Sequence, residues 1–135
     1  MLPFSLTLRP GEPVADQVVY AVTRAVVSGQ LRPGDRFPSV RALSQELKVN
    51  PNTAQRIVAL LTDARLLAVE PGIGTVVTAV GERGAAPKKV EIAAVGERFA
   101  EPLVVEARRV GLTLTDLLDL VRGRWKRLDD ENKPR

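Results

Sequence analysis

The stretch Val49-Asn50-Pro51-Asn52-Thr53-Ala54-Gln55-Arg56-Ile57-Val58-Ala59-Leu60-Leu61 decides how the chain is read. Asn50 can cap a helix, and Pro51 suits the first helical position, where its missing N–H costs nothing. At about 100° per residue, Ala54, Ile57, Val58 and Leu61 share one arc, and Asn52, Gln55, Arg56 and Ala59 share the opposite one. Thr53 lies at the border. One arc is a core stripe. The other offers two amides and a guanidinium, which can pair with adenine and guanine edges, while free N–H groups in the first turn favour a phosphate. The alternative is a plain surface helix, because every amphipathic helix has a polar side. The neighbouring segments weigh against that alternative.

Upstream, Val14, Val18, Ala21, Val22 and Ala25 form a helical stripe with Gly29 as its C-terminal stop, and Pro33-Gly34-Asp35 is a tight turn. Ser39 caps a second helix over residues 40 to about 48, with Val40, Leu43 and Leu47 inward and Arg41 outward. Only a few residues separate it from the next helix, a helix-turn-helix spacing. Downstream, residues 66–70 and 75–78 read as two short strands around Pro71-Gly72-Ile73-Gly74. A hairpin following a helix-turn-helix is a wing. Gly72 and Gly74 allow the close backbone approach that a minor-groove or phosphate contact needs; a purely structural turn is the other reading. Residues 1–12 form a Pro-containing arm in which Phe4, Leu6 and Leu8 alternate as in a short edge strand.

The chain has 135 residues, room for one ordinary domain or a small domain with an appended element. With no Cys and no His, thiol nucleophiles, imidazole bases and the usual zinc ligands are excluded, and no phosphate-binding Gly-rich loop is present. Neither an enzyme, nor a cofactor, nor a metal site is expected. No apolar run reaches membrane-spanning length and no secretory leader is visible, so a cytoplasmic protein is expected. Bulk charge is uninformative: residues 1–80 carry 8 Lys/Arg against 6 Asp/Glu, and residues 81–135 carry 12 against 10. Placement says more. Arg36, Arg41, Lys48 and Arg56 face only Glu46 between residues 36 and 60, a local positive face fit for phosphates.

Residues 81–87 read as a linker, which divides the chain into a DNA-binding region over 1–80 and a helical region over 88–135. In the latter, Ile92, Val95, Phe99, Leu103 and Ala107 step by three and four, so one long helix is expected, kinked at Pro102 and closed at Gly111. Thr113-Leu114-Thr115-Asp116 resembles a capping box. Leu114, Leu117, Leu118, Val121, Trp125 and Leu128 share one side of the last helix. Two such helices cannot bury both stripes alone, which points to a homodimer built on them, with folding back onto the winged region as the alternative. Arg122, Arg124, Lys126 and Arg127 around Trp125 read as a solvated helix end.

With these elements placed, residues 13–78 resemble the DNA-binding domain of the GntR family of bacterial transcription regulators. The likeness is carried by residues 28–43 (Ser-Gly-Gln-Leu-Arg-Pro-Gly-Asp-Arg-Phe-Pro-Ser-Val-Arg-Ala-Leu), by Val49-Asn50-Pro51-Asn52-Thr53 and by Gly72-Ile73-Gly74-Thr75. The short helical tail, with residues 106–114 leading into Leu117-Leu118, resembles the compact YtrA-type subgroup. There the tail dimerises the protein, and the regulated genes often encode ABC transporters. The resemblance implies a mainly α fold with a small β-hairpin, a winged helix-turn-helix domain followed by a dimerising helical hairpin. It implies DNA contacts at Arg41, Asn50, Asn52, Thr53, Gln55, Arg56 and Gly72, to which the residue reading adds Arg36, Ser39 and Gly74. Gln55, Glu70-Pro71 and Ile73 depart from the family pattern, each lowering positive charge. The function expected is a sequence-specific repressor that binds a pseudo-palindromic operator as a homodimer. The competing reading is a winged-helix adaptor that docks another protein. No cluster of residues points to a small-molecule effector, for which the family still leaves room.

Overall fold

The structure, a computed structural model, describes residues 1–78 and 87–131. It falls into two units that divide near residue 80. The first contains α1 (Val14–Ser28), α2 (Val40–Leu47), α3 (Pro51–Asp63) and a hairpin of β1 (Leu67–Glu70) and β2 (Gly74–Val77). Both short helices start where their side chains supply an acceptor. The Ala42 N–H donates to Ser39 Oγ at 3.1 Å, and the Asn52 N–H donates to Asn50 Oδ1 at 2.8 Å. The stripe spacing then sets what is buried: Val18, Val22 and Ala25 from α1, Leu43 and Leu47 from α2, and Ala54, Ile57 and Leu61 from α3. Leu66, Leu67 and Val77 close the same core from the hairpin.

Two features of this unit depart from the sequence expectations. Residues 1–12 contain no strand; instead Phe4 is buried in the core while Leu8 is exposed, so the alternation there does not mark a sheet edge. Burial of the Phe4 ring against Phe37 outweighs the period-two pattern of Phe4, Leu6 and Leu8. The arm is held by side chains rather than a ladder: Gln17 accepts the Arg9 N–H at 2.7 Å and donates to the Arg9 and Glu12 carbonyls, each at 3.0 Å. The wing also has a third member. The Gly34 N–H donates to Val77 O at 2.8 Å, the Val77 N–H to Asp35 O at 2.8 Å and the Phe37 N–H to Thr75 O at 2.9 Å, with Arg36 bridged to Val76. The segment leading into α2 is thereby laid along β2.

The second unit is a helical hairpin. The helical run comprises α4 (Lys89–Val95), a π turn (Gly96–Ala100) and α5 (Glu101–Arg109), followed by α6 (Leu114–Glu131). The irregularity expected at Pro102 is displaced to the turn before it. The Glu101 N–H donates to Gly96 O, five residues back, which widens the turn where the proline ring would otherwise strike a carbonyl. The helical run then continues through the proline. Thr113 and Asp116 cap α6 reciprocally, with Thr113 N–H to Asp116 Oδ2 at 3.0 Å and Asp116 N–H to Thr113 Oγ1 at 3.1 Å. The linker expected over 81–87 lies, apart from Pro87, outside the described residues. Among the described residues no helix is long and apolar enough to cross a membrane.

Candidate nucleic-acid interface

The face of α3 opposite the core is polar over its first turns, up to Arg56, with Ala59 and Leu60 exposed beyond. Asn52, Gln55 and Arg56 are exposed, Thr53 is half-buried, and Ala54 and Ile57 behind them are fully buried. Burial on that side fixes the rotation of the helix, so the three polar side chains cannot turn inward. Among the described residues, none of Arg36, Arg41, Asn52, Gln55 and Arg56 has a side-chain hydrogen bond or ion pair within the chain. Two guanidinium groups near α2 and one on α3 therefore remain available to an external anion.

Ser39 and Asn50 play a double part. Each spends an oxygen on the start of its own helix, which leaves the Ser39 hydroxyl proton and the Asn50 amide N–H groups to face outward. The start of α3 differs from the expectation of free backbone donors. Pro51 has no N–H, Asn52 is capped, and the Thr53 and Ala54 N–H groups both donate to Asn50 O, at 2.9 and 3.2 Å. The backbone of this first turn has nothing left for a phosphate. The start of α2 does: the N–H groups of Val40 and Arg41 have no acceptor among the described residues, and the helix dipole adds to the Arg41 charge there.

The turn between the helices and the end of α3 fix the remaining geometry. The Val49 N–H reaches back to Ser44 O at 3.1 Å and the Leu66 N–H to Leu61 O at 2.9 Å, so each helix stops in a closed C-terminal loop. Lys48 and Arg65 occupy the left-handed positions in these loops, with φ of 55° and 62°. Lys48 belongs to the positive stretch expected from sequence, whereas Arg65, just after α3, does not. Its signal is weak, because a left-handed residue is announced by Gly and not by Arg. In the hairpin, residues 70–73 form a β-turn with Pro71 second and Gly72 third; the Ile73 N–H donates to Glu70 O at 3.1 Å. Gly72 has φ of 79°, which the third place of a type II turn requires. Gly74 pairs with Glu70 at the turn end of the ladder. The wing tip is thus well defined, but it carries no cation between Arg65 and Thr78.

The residues expected to dimerise lie in the helical hairpin. Ile92, Val95, Phe99, Leu103, Leu114, Leu118, Val121 and Trp125 are all exposed, Phe99 by 60% and Trp125 by 71%. Leu117 differs: it is buried within this unit, as is Ala107. Arg98 lies over the Phe99 ring at 5.1 Å.

A family model described as bacterial regulatory proteins, gntR family, matches residues 14–77. Among similar proteins is an uncharacterized HTH-type transcriptional regulator, YhcF of Bacillus subtilis, 36% identical over 69 residues, which are 51% of this chain and 54% of that one. The HTH-type transcriptional repressor YtrA of the same organism is 29% identical over 70 residues, 52% of this chain and 54% of that one. The match therefore spans about half the length of these relatives. In three dimensions the chain resembles a transcriptional antiterminator from Listeria monocytogenes, with a TM-score of 0.75 at 19% identity, covering 97% of this chain and 93% of that one. At this identity the likeness concerns the fold.

Proposed function

Because residues 14–77 belong to the gntR family of bacterial regulatory proteins, we propose that the chain is a sequence-specific DNA-binding transcriptional repressor acting in the cytoplasm as a homodimer. Region 1–80 binds DNA, residues 81–87 link, and region 88–135 dimerises. The observation that carries the reading is the exposed, unpaired row Asn52, Gln55 and Arg56 on a helix whose other face is locked in the core. Each α3 enters a major groove, and two half-sites about one helical turn apart make up a pseudo-palindromic operator. Asn52, Gln55 and Arg56 read base edges, with Thr53 and Asn50 beside them. Arg36, Ser39, Arg41 and the start of α2 hold phosphates, and Gly72 and Gly74 let the wing's own backbone come close to the minor groove or a phosphate. The exposed apolar residues of the helical hairpin support the dimer, since so much bare apolar surface calls for a cover. The regulated genes proposed, on the resemblance of the helical tail to the YtrA-type subgroup, are an operon of the ABC-transporter class.

Binding-site selection with the purified protein, followed by the variants Gln55→Ala and Arg41→Ala, tests the reading. Gln55→Ala relaxes the preference at one operator position, a loss of roughly 1–3 kcal/mol. Arg41→Ala weakens binding to every sequence and lowers the salt slope by about 0.9. Leu118→Glu converts the sedimenting dimer to a monomer. Unselective binding by the wild type, or sedimentation as a monomer, overturns the corresponding part.

A further inference from the structure

The geometry points to Ile73, at the tip of the wing, as a specificity-determining residue: it lays an apolar side chain on the minor-groove floor beside each half-site and disfavours G·C pairs there. This rests on the DNA-binding reading above and adds a base preference that the α3 face does not supply.

The wing is poorly built for phosphates. From Leu66 to Thr78 the only charged residue is Glu70, which a nucleic-acid backbone repels. What the tip offers is apolar: Ile73 is 48% exposed and Val69 72% exposed, with Pro71 between them. Val69 lies on the same face of β1 as Leu67, which is 2% exposed. That face is covered by the core at its base and bare at its end. Three residue steps separate Leu67 from Glu70, so the tip stands about 10 Å beyond the core. Its position is not free to wander. The turn is closed by the Ile73 N–H on Glu70 O at 3.1 Å, and the hairpin is tied to α3 through the Leu66 N–H on Leu61 O at 2.9 Å. On its other edge it is tied to residues 34–37, which lead into the phosphate-facing start of α2. A rigid, cation-free tip held beside the recognition face gains by covering apolar surface and loses by covering an unpaired donor.

The minor groove presents that difference between base pairs. A·T and T·A pairs show only the adenine N3 and thymine O2 acceptors, whereas G·C raises the guanine N2 amino group above the floor. Under the Ile73 methyl groups that amino group is both a steric obstacle and a donor without an acceptor. The groove position reached by the wing therefore prefers A·T over G·C.

The test uses the full-length protein and its selected operator, altered only at the flanking positions protected by the wing. Inosine·cytosine keeps the major-groove face of G·C but lacks the N2 amino group; diaminopurine·thymine adds that group to an A·T pair. The wild type binds A·T and inosine·cytosine duplexes alike and the G·C and diaminopurine·thymine duplexes about tenfold more weakly. Ile73→Ala levels the four affinities, and Ile73→Leu, which keeps the apolar bulk, preserves the difference; unchanged thermal unfolding shows that both variants are folded. Equal binding of G·C and inosine·cytosine by the wild type overturns the assignment, as does discrimination that survives Ile73→Ala. Failure of the underlying reading looks different, because no duplex is then preferred at the central half-site bases either.

Discussion

The ring of Phe4 lies parallel to that of Phe37, with centroids 6.0 Å apart and an angle of 1° between the planes. Both rings are buried, and the pair joins the first residues of the chain to the segment that runs into Ser39. An amino-terminal arm is thereby made part of the core. Phe4→Ala removes a buried ring and its stacking contact with Phe37, and should cost roughly 3–5 kcal/mol. Chemical unfolding of the full chain measures this. A midpoint equal to that of the wild type would show that the arm does not contribute to the core.

Asn50 separates stability from binding. Its Oδ1 accepts the Asn52 N–H at 2.8 Å, so Asn50→Ala should destabilise the domain by about 1 kcal/mol. Asn50→Asp retains the acceptor and places a negative charge at a helix start, which is neutral or stabilising by a few tenths of a kcal/mol. Under the proposed DNA contact the same charge repels phosphate. Expected, then, is a variant with normal unfolding and weakened duplex binding, worst at low salt. Parallel losses of stability and binding in Asn50→Asp would mean that the residue lies away from the DNA.

Local chemistry made the helix starts and the core stripes legible. Ser39, Asn50 and the Thr113–Asp116 pair each advertise a cap by residue type and spacing, and the caps form. Polarity also located the exposed row of α3, because Ala54, Ile57 and Leu61 admit only one rotation of that helix. Relationships set by distant partners were not legible. Pairing of Arg36 with Val76 depends on how the wing folds back, forty residues on, and nothing in Arg36-Phe37-Pro38 marks a strand. The loss of free N–H groups at the start of α3 follows from Asn50 O accepting from both Thr53 and Ala54, a detail below the resolution of sequence patterns. The π turn before Pro102 is of the same kind: proline signals a disturbance, and packing chooses the turn that absorbs it.

Arg65 ends α3 in the left-handed region, where an L side chain is strained. Its φ is 62°, and its N–H and that of Leu66 close the loop on Thr62 O and Leu61 O, both at 2.9 Å. The end of α5 has the same pattern with Gly111 at φ 85°. Arg65→Gly removes a Cβ clash of about 1–2 kcal/mol, partly offset by the greater freedom of glycine in the unfolded chain. The net expectation is a gain of about 0.5–1 kcal/mol, seen as a higher denaturant midpoint at an unchanged slope. A lower midpoint would show that the arginine side chain contributes more than its backbone strain costs.

The start of α6 should respond to acid, and the sign follows from the capping box. The Thr113 N–H, and after it the Thr113 hydroxyl, hold the Asp116 carboxyl below the usual aspartate range. Both bonds favour the ionised form, so the folded value lies under the unfolded one. The contribution to stability is therefore fully present above the ordinary aspartate value and is lost as the pH falls through the lowered, folded value. Glu106 is shifted in the same direction by its hydrogen bonds to Arg109, at 2.9 and 2.6 Å, so the two acids act together on the turn between α5 and α6. Asp116→Asn keeps an acceptor for the Thr113 N–H but cannot titrate, and should remove the Asp116 part of this acid sensitivity while leaving that of Glu106. Carboxyl titration by NMR, with the Thr113 amide followed in parallel, reports the event directly. An Asp116 carboxyl that titrates in the ordinary range, with no matching shift at Thr113, would mean that α6 is not started by this pair.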